Sequence, residues 1–279
     1  MAAVDDITPA GIPGFDAPLT MNDIKRGHEV LDPLALCSAD SVLTVCARDC
    51  SYNGLPHIEA RYKEKIDYDG IHGLLKIIIR HDLDDLVGVH NLHRHDPLPA
   101  DTVRVEKDVG HILAGARMTP PVPLDGLDLG NTRALTYYVS GNNLIPFEFR
   151  EGQNSASAGV ITRQFMDEFT KFAAERGLTE LFAIEIGDFT TRPRQVFKEV
   201  EIGNFGTIVV PSKTLALSGP SLETAWDARG YNEETSDNDA STTHQYMANK
   251  QSHKVFTNKF NQGPKEIIDD LFEQGVLKA

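Results

Sequence analysis

Val89-His90-Asn91-Leu92-His93-Arg94-His95-Asp96 places three of the chain's 10 histidines within six residues. Imidazole titrates near neutral pH and ligates most biological transition metals, so this segment is the leading candidate for acid/base or metal chemistry. The pattern over Leu86 to His95 fits a strand. Val87, Val89, Asn91, His93 and His95 would then share one face, and Gly88, His90, Leu92 and Arg94 the other. On that geometry His93 and His95 project together while His90 points away, so the segment supplies two metal ligands at most.

A carboxylate must come from elsewhere, and Ile145-Pro146-Phe147-Glu148-Phe149-Arg150 offers one. On a strand, Glu148 and Arg150 share a face and can pair, while Phe147 and Phe149 pack inward. A Glu buried beside histidines suits a general base or a metal ligand. His93, His95, Glu148 and Arg150 are therefore the candidate catalytic residues. His93, His95 and Glu148 are the candidate ligands for a divalent metal, the one cofactor these residues suggest. Glu106 and His111 could complete a site only if the fold brings them close. The competing reading makes His93 and His95 hydrogen-bonding residues that order a sheet edge, with Arg94 and Asp96 in surface ion pairs.

Other chemistries lose support. A regular cupin site wants a Glu four or five residues after the second histidine, where Pro99 and Ala100 stand. Arg80-His81-Asp82 and Arg94-His95-Asp96 repeat a triplet, but Pro97 stops the second copy, against a helical phosphohydrolase. Asp82-x-Asp84-Asp85 lacks the all-helical context of a terpene cyclase. No Gly-x-Ser-x-Gly elbow, Walker loop or Gly-x-Gly-x-x-Gly fingerprint occurs. Cys37, Cys46 and Cys50 form an odd set whose spacing matches no zinc knuckle, and they read as reduced thiols.

Composition narrows the partners. Lys+Arg 27 against Asp+Glu 41 gives −14, which repels the phosphate backbone of nucleic acids and an anionic membrane surface. Neither is an expected partner; a small-molecule ligand or substrate is. The chain has no run of about 18 apolar residues. Asp5, Asp6 and Asp16 stand where a secretory signal would carry Lys or Arg ahead of an apolar core, so a cytoplasmic location is expected.

The elements that must hold these residues are mixed. Residues 1–20 read as an extended or disordered arm, and 21–279 as a single α+β domain with a mixed or mostly antiparallel sheet flanked by helices. Gly70 to His81 carries Ile71, Leu74, Leu75, Ile78 and Ile79 at helical spacing. A Phe-rich helix follows over 161–176, with Gly177 as its C-terminal cap, and an amphipathic helix closes the chain over 263–277. Residues 117–131 suggest a long irregular crossing. Thr102 to Glu106, 135–139, 144–150, 181–186 and 200–210 read as strands. From 219 to 254 apolar content collapses, and a long polar loop is expected.

Leu92-His93-Arg94-His95 and Pro146-Phe147-Glu148-Phe149, followed by the Phe-rich helix, resemble a group of uncharacterised fungal proteins that carry a Leu-His-Arg-His segment and a later Pro-x-Glu-Phe segment. The resemblance covers about a third of the chain and implies a fungal intracellular protein, an accessory factor in metabolism. Two functions compete. One is a small-molecule enzyme, in fungal (secondary) metabolism, with His93, His95 and Glu148 in one pocket for acid/base or metal-assisted chemistry. The other is a non-enzymatic binding or regulatory protein with structural histidines. Convergence of the three side chains in one cleft separates them.

Overall fold

Strand after strand of this chain alternates apolar with polar or charged residues: Val103-Arg104-Val105-Glu106, Ile184-Glu185-Ile186 and Glu199-Val200-Glu201-Ile202. The computed structural model describes residues 52–62, 65–128, 131–140, 143–152, 161–203, 205–245, 254–257, 259 and 262–278. It contains the strands β1 (Val87–Asn91), β2 (Thr102–Asp108), β3 (Arg117–Thr119), β4 (Pro121–Pro123), β5 (Thr132–Ser140), β6 (Asn143–Glu151), β7 (Phe182–Ile186), β8 (Phe197–Ile202), β9 (Gly206–Pro211), β10 (Ser221–Asp227), β11 (Ser241–Gln245) and β12 (Lys254–Val255). The helices are α1 (Ile58–Arg61), α2 (Tyr68–Arg80), α3 (Arg163–Glu175) and α4 (Pro264–Glu273).

The strands run in the order β11-β10-β1-β7-β5-β6-β2-β3-β9-β8, and β8 pairs back onto β11 in parallel, Phe197 opposite Thr242 and Glu199 opposite His244. Ten strands thus close into a barrel, with β4 attached to β2 and β12 to β8. This corrects the expected α+β sheet flanked by helices. Closure leaves no open edge on either side of the ring, and it turns one face of every strand into a lumen.

The apolar face points outward and is covered by helices. Val87, Val89, Val105, Ile184 and Ile186 pack under α2 and α3 against Ile71, Leu74, Ile78, Phe165 and Phe169. Met118, Val200, Ile202, Ile208 and Val210 pack under α4 against Ile267, Ile268 and Leu271. The helix over 68–80 uses the apolar stripe anticipated for it and is capped by Asp67, whose carboxylate accepts from the Gly70 N–H at 3.0 Å. The helix over 163–175 is also where expected, with Thr162 as N-cap and Gly177 at φ 66° just beyond it.

Four local expectations are overturned. The strand over 86–95 stops at Asn91, so His93 and His95 lie in the segment after β1. The run 200–210 is two antiparallel strands, β8 and β9, joined around Gly203. The irregular crossing over 117–131 contains β3 and β4. The polar stretch 219–254 contains β10 and β11, of which Thr224 and Thr242 line the lumen and Thr243 donates to the Phe197 carbonyl across the seam. The arm 1–20 and the three cysteines lie outside the described residues. Among the described residues, no helix is long and apolar enough to cross a membrane.

Phe165 is fully buried between α3 and the barrel. Phe165→Ala is expected to lower stability by about 3–5 kcal/mol in chemical denaturation, since the helix layer cannot collapse onto a rigid barrel wall to fill the void.

Candidate functional site

Inside the barrel the polar half of the alternation meets itself. Glu106 on β2 faces Arg117 of β3 at 3.3 Å, Arg150 of β6 at 3.4 Å and Arg192 at 3.6 Å. Arg192 also pairs with Glu185 of β7 at 2.6 Å. Burial would push the Glu106 carboxyl up, but Arg117, Arg192 and Arg150 together hold it down at about 2. Glu185 is likewise held below the usual range, its burial outweighed chiefly by Arg192.

Beside this network lies a cavity, partly open to solvent, lined by His90, His93, His95, Arg104, Glu148 and Glu199 among others. The two histidines of the His-x-His pair reach it because the segment after β1 is pinned. Arg61 of α1 donates to the Leu92 carbonyl through Nε at 3.0 Å and through its NH2 group at 2.8 Å. Arg94 N–H donates to the Pro56 carbonyl, and Ile58 N–H to the Arg94 carbonyl. His95 N–H donates to the Tyr52 hydroxyl at 2.9 Å, and Asp96 pairs with Lys254.

So held, His93 Nε2 lies 3.3 Å from His95 Nε2, and His95 Nε2 lies 3.2 Å from Glu199 Oε1. The three donor atoms all fall within 4.8 Å of one another, and all three side chains are buried. Metal–donor bonds of about 2.0–2.1 Å in a tetrahedron set donor atoms about 3.3–3.4 Å apart, so these two edges fit a small divalent ion. Around them stand partners of the kind that orient metal-bound histidine. His93 Nδ1 is 2.6 Å from the Asn91 carbonyl, which can only accept, so Nδ1 carries the proton and Nε2 presents its lone pair. His95 Nδ1 faces Glu201 Oε1 at 2.8 Å.

Electrostatics separates the two imidazoles. Burial, with help from His95 and His90, keeps His93 neutral far below its usual range. Burial also opposes charge on His95, yet Glu199 and Glu201 on its two nitrogens push its pKa well up. Glu199 is held low, its burial outweighed by His95. A second donor set, His95, Glu201 and His244, shares His95. Glu201 and His244 do not line the cavity, so only the first set can present an ion to a ligand there.

Glu148 also lines this cavity but is not among the converging donors; its Oε2 accepts from Thr136 Oγ1 at 3.2 Å, and burial raises its pKa against the pull of His90. Arg150 turns to Glu106. His90, expected to point away, stacks on His93 with ring centroids 5.3 Å apart, because the chain leaves strand geometry after Asn91. Glu106 is in the lumen, whereas His111 sits in the turn between β2 and β3 and does not line the cavity. Glu199 was the residue sequence reasoning missed; its signal was the alternation Glu199-Val200-Glu201-Ile202.

Glu106→Gln is expected to destabilise the protein by about 3–5 kcal/mol at neutral pH, because three guanidinium groups lose their shared counter-charge. The depressed carboxyl stabilises the fold fully above about pH 4.5 and stops doing so as pH falls toward 2. Denaturation between these pH values should therefore show a shallower acid slope in Glu106→Gln than in the wild type. Family models, curated proteins and solved structures offer no match to this chain, and its chemistry rests on the geometry of the lumen.

Proposed function

We propose that the chain is a small-molecule enzyme whose barrel lumen holds a divalent transition metal on His93, His95 and Glu199 and moves protons through Glu148. The observation that carries this reading is the meeting of three buried donor atoms within 4.8 Å of one another, two of their edges at tetrahedral spacing, on the wall of a partly open cavity. Two imidazoles and one carboxylate suit Zn²⁺ or Fe²⁺ and leave coordination positions for a substrate oxygen. Such an ion would polarise that oxygen as a Lewis acid. Glu148, whose carboxyl burial raises above its ordinary range, lines the same cavity, where it could exchange a proton with the substrate.

One observation favours a second reading, a binding protein with structural histidines. His95 already lies between Glu199 and Glu201, and His93 already has the Asn91 carbonyl, so neither imidazole is buried without a partner.

Elemental mass spectrometry of the untagged protein separates the two. Near-stoichiometric metal is expected in the wild type and in Glu148→Gln, falling at least about ten-fold in His93→Ala, His95→Ala and Glu199→Gln. A wild type that neither carries metal nor takes up Zn²⁺ or Fe²⁺ would overturn the metal centre in favour of structural histidines.

A further inference from the structure

Four arginines enter the lumen, and three of them have carboxylates. Arg117, Arg150 and Arg192 share Glu106, and Arg192 adds Glu185. Arg104 does not join them. It is 3% exposed and lines the cavity, yet among the described residues no ion pair joins it to an acid. Its NH1 group donates to the Thr119 carbonyl at 3.1 Å, its guanidinium lies 5.7 Å from the centroid of the Tyr52 ring, and its buried Nε meets no acceptor. Glu148, its neighbour in register across β2 and β6, is engaged with Thr136 instead.

The local backbone makes room for this placement. Gly206 has φ 135°, and a Cβ there would come within 2.2 Å of the Thr119 carbonyl oxygen and 2.9 Å of Arg104 NH1. The guanidinium is seated where only glycine permits it.

Arg104 acts on Glu148 through space but makes no ion-pair contact with it, so its buried Nε stays open to an acceptor that enters the cavity. The geometry points to Arg104 as the anchor for a carboxylate, so that the lumen takes a small carboxylic acid whose other end reaches His93, His95 and Glu199. A guanidinium fork matches a carboxylate in shape and in charge. A phosphate dianion would carry one charge more than Arg104 can balance, against the nearby carboxylates of Glu106, Glu185 and Glu199. The orientation of the acid rests on the metal-centre reading, whereas the anchor itself does not.

The test uses the full untagged chain, stripped with chelator so that no metal can bind the acid, in calorimetric titrations with benzoate, butyrate, their uncharged amides and inorganic phosphate. The wild type should bind at least one acid about ten-fold or more tighter than its amide. Arg104→Gln should shrink that preference to about two-fold or less, and Arg104→Lys, which keeps the charge without the fork, should fall between. A wild type without acid preference, a preference that survives Arg104→Gln, or phosphate binding in place of both acids would overturn the anchor. If Arg104→Gln does not fold, the acid-against-amide ratio in the wild type and in Arg104→Lys decides. Metal content is measured on the same preparations before stripping. An Arg104-dependent preference in a protein that takes up no metal would sustain the anchor and sink only the metal centre.

Discussion

Charges enclosed by this barrel must be answered largely by one another, because burial strips them of most of the hydration that bulk water would give. A single carboxylate or guanidinium moved into such a place costs several kcal/mol unless it is paired and hydrogen-bonded. Glu106 among Arg117, Arg150 and Arg192 is the core of the solution: four strands or loops contribute one charge each, and the group stays ionised. Everything else in the interior is arranged around that cluster. Glu185 completes Arg192, and Glu199 and Glu201 complete His95.

This arrangement explains why the apolar residues face outward. A barrel whose lumen is largely polar cannot rely on its inside for a hydrophobic core, so most of the core lies between the outer wall and the helices that cover it, with a smaller cluster of Tyr52, Leu55, Leu92, Tyr138, Ile145 and Phe147 beside the segment after β1. One apolar cluster lies under α2 and α3, and another under α4. The helices therefore fix the curvature of the wall from outside.

The helices were legible in the sequence because an amphipathic stripe means the same thing wherever a helix packs. Ile71, Leu74, Leu75 and Ile78 needed only something apolar to lie against. Alternation in a strand is more ambiguous. Val103-Arg104-Val105-Glu106 fits equally a sheet with one wet face and a barrel wall with a polar inside, since period two says which residues part company and not which side is closed. The low apolar content of β10 and β11 hid two wall strands for the same reason: Thr224 and Thr242 face a polar cavity, and so the segment resembled a loop. His93 and His95 stood out because clustered histidine is rare. Their carboxylate partner did not, because Glu199 is more than a hundred positions away and one of many glutamates.

That separation ties the site to the closure of the fold. His93 and His95 follow β1, Glu199 lies on β8, and between these strands in the ring stand β10 and β11. The parallel seam that sets Glu199 opposite His244 of β11 joins the two ends of the strand order and closes the ring. Without the seam the carboxylate has no reason to approach the imidazoles, whose segment is held by residues 52–61, by Leu92 N–H on the Leu181 carbonyl and by Asp96 on Lys254. After it forms, Glu199 and Glu201 reach His95 from one strand, on opposite ring nitrogens, as the period-two spacing of β8 dictates. The pairing that completes the barrel thus also brings the donor set together, and weakening the seam would loosen the site before it exposed the helix-covered core.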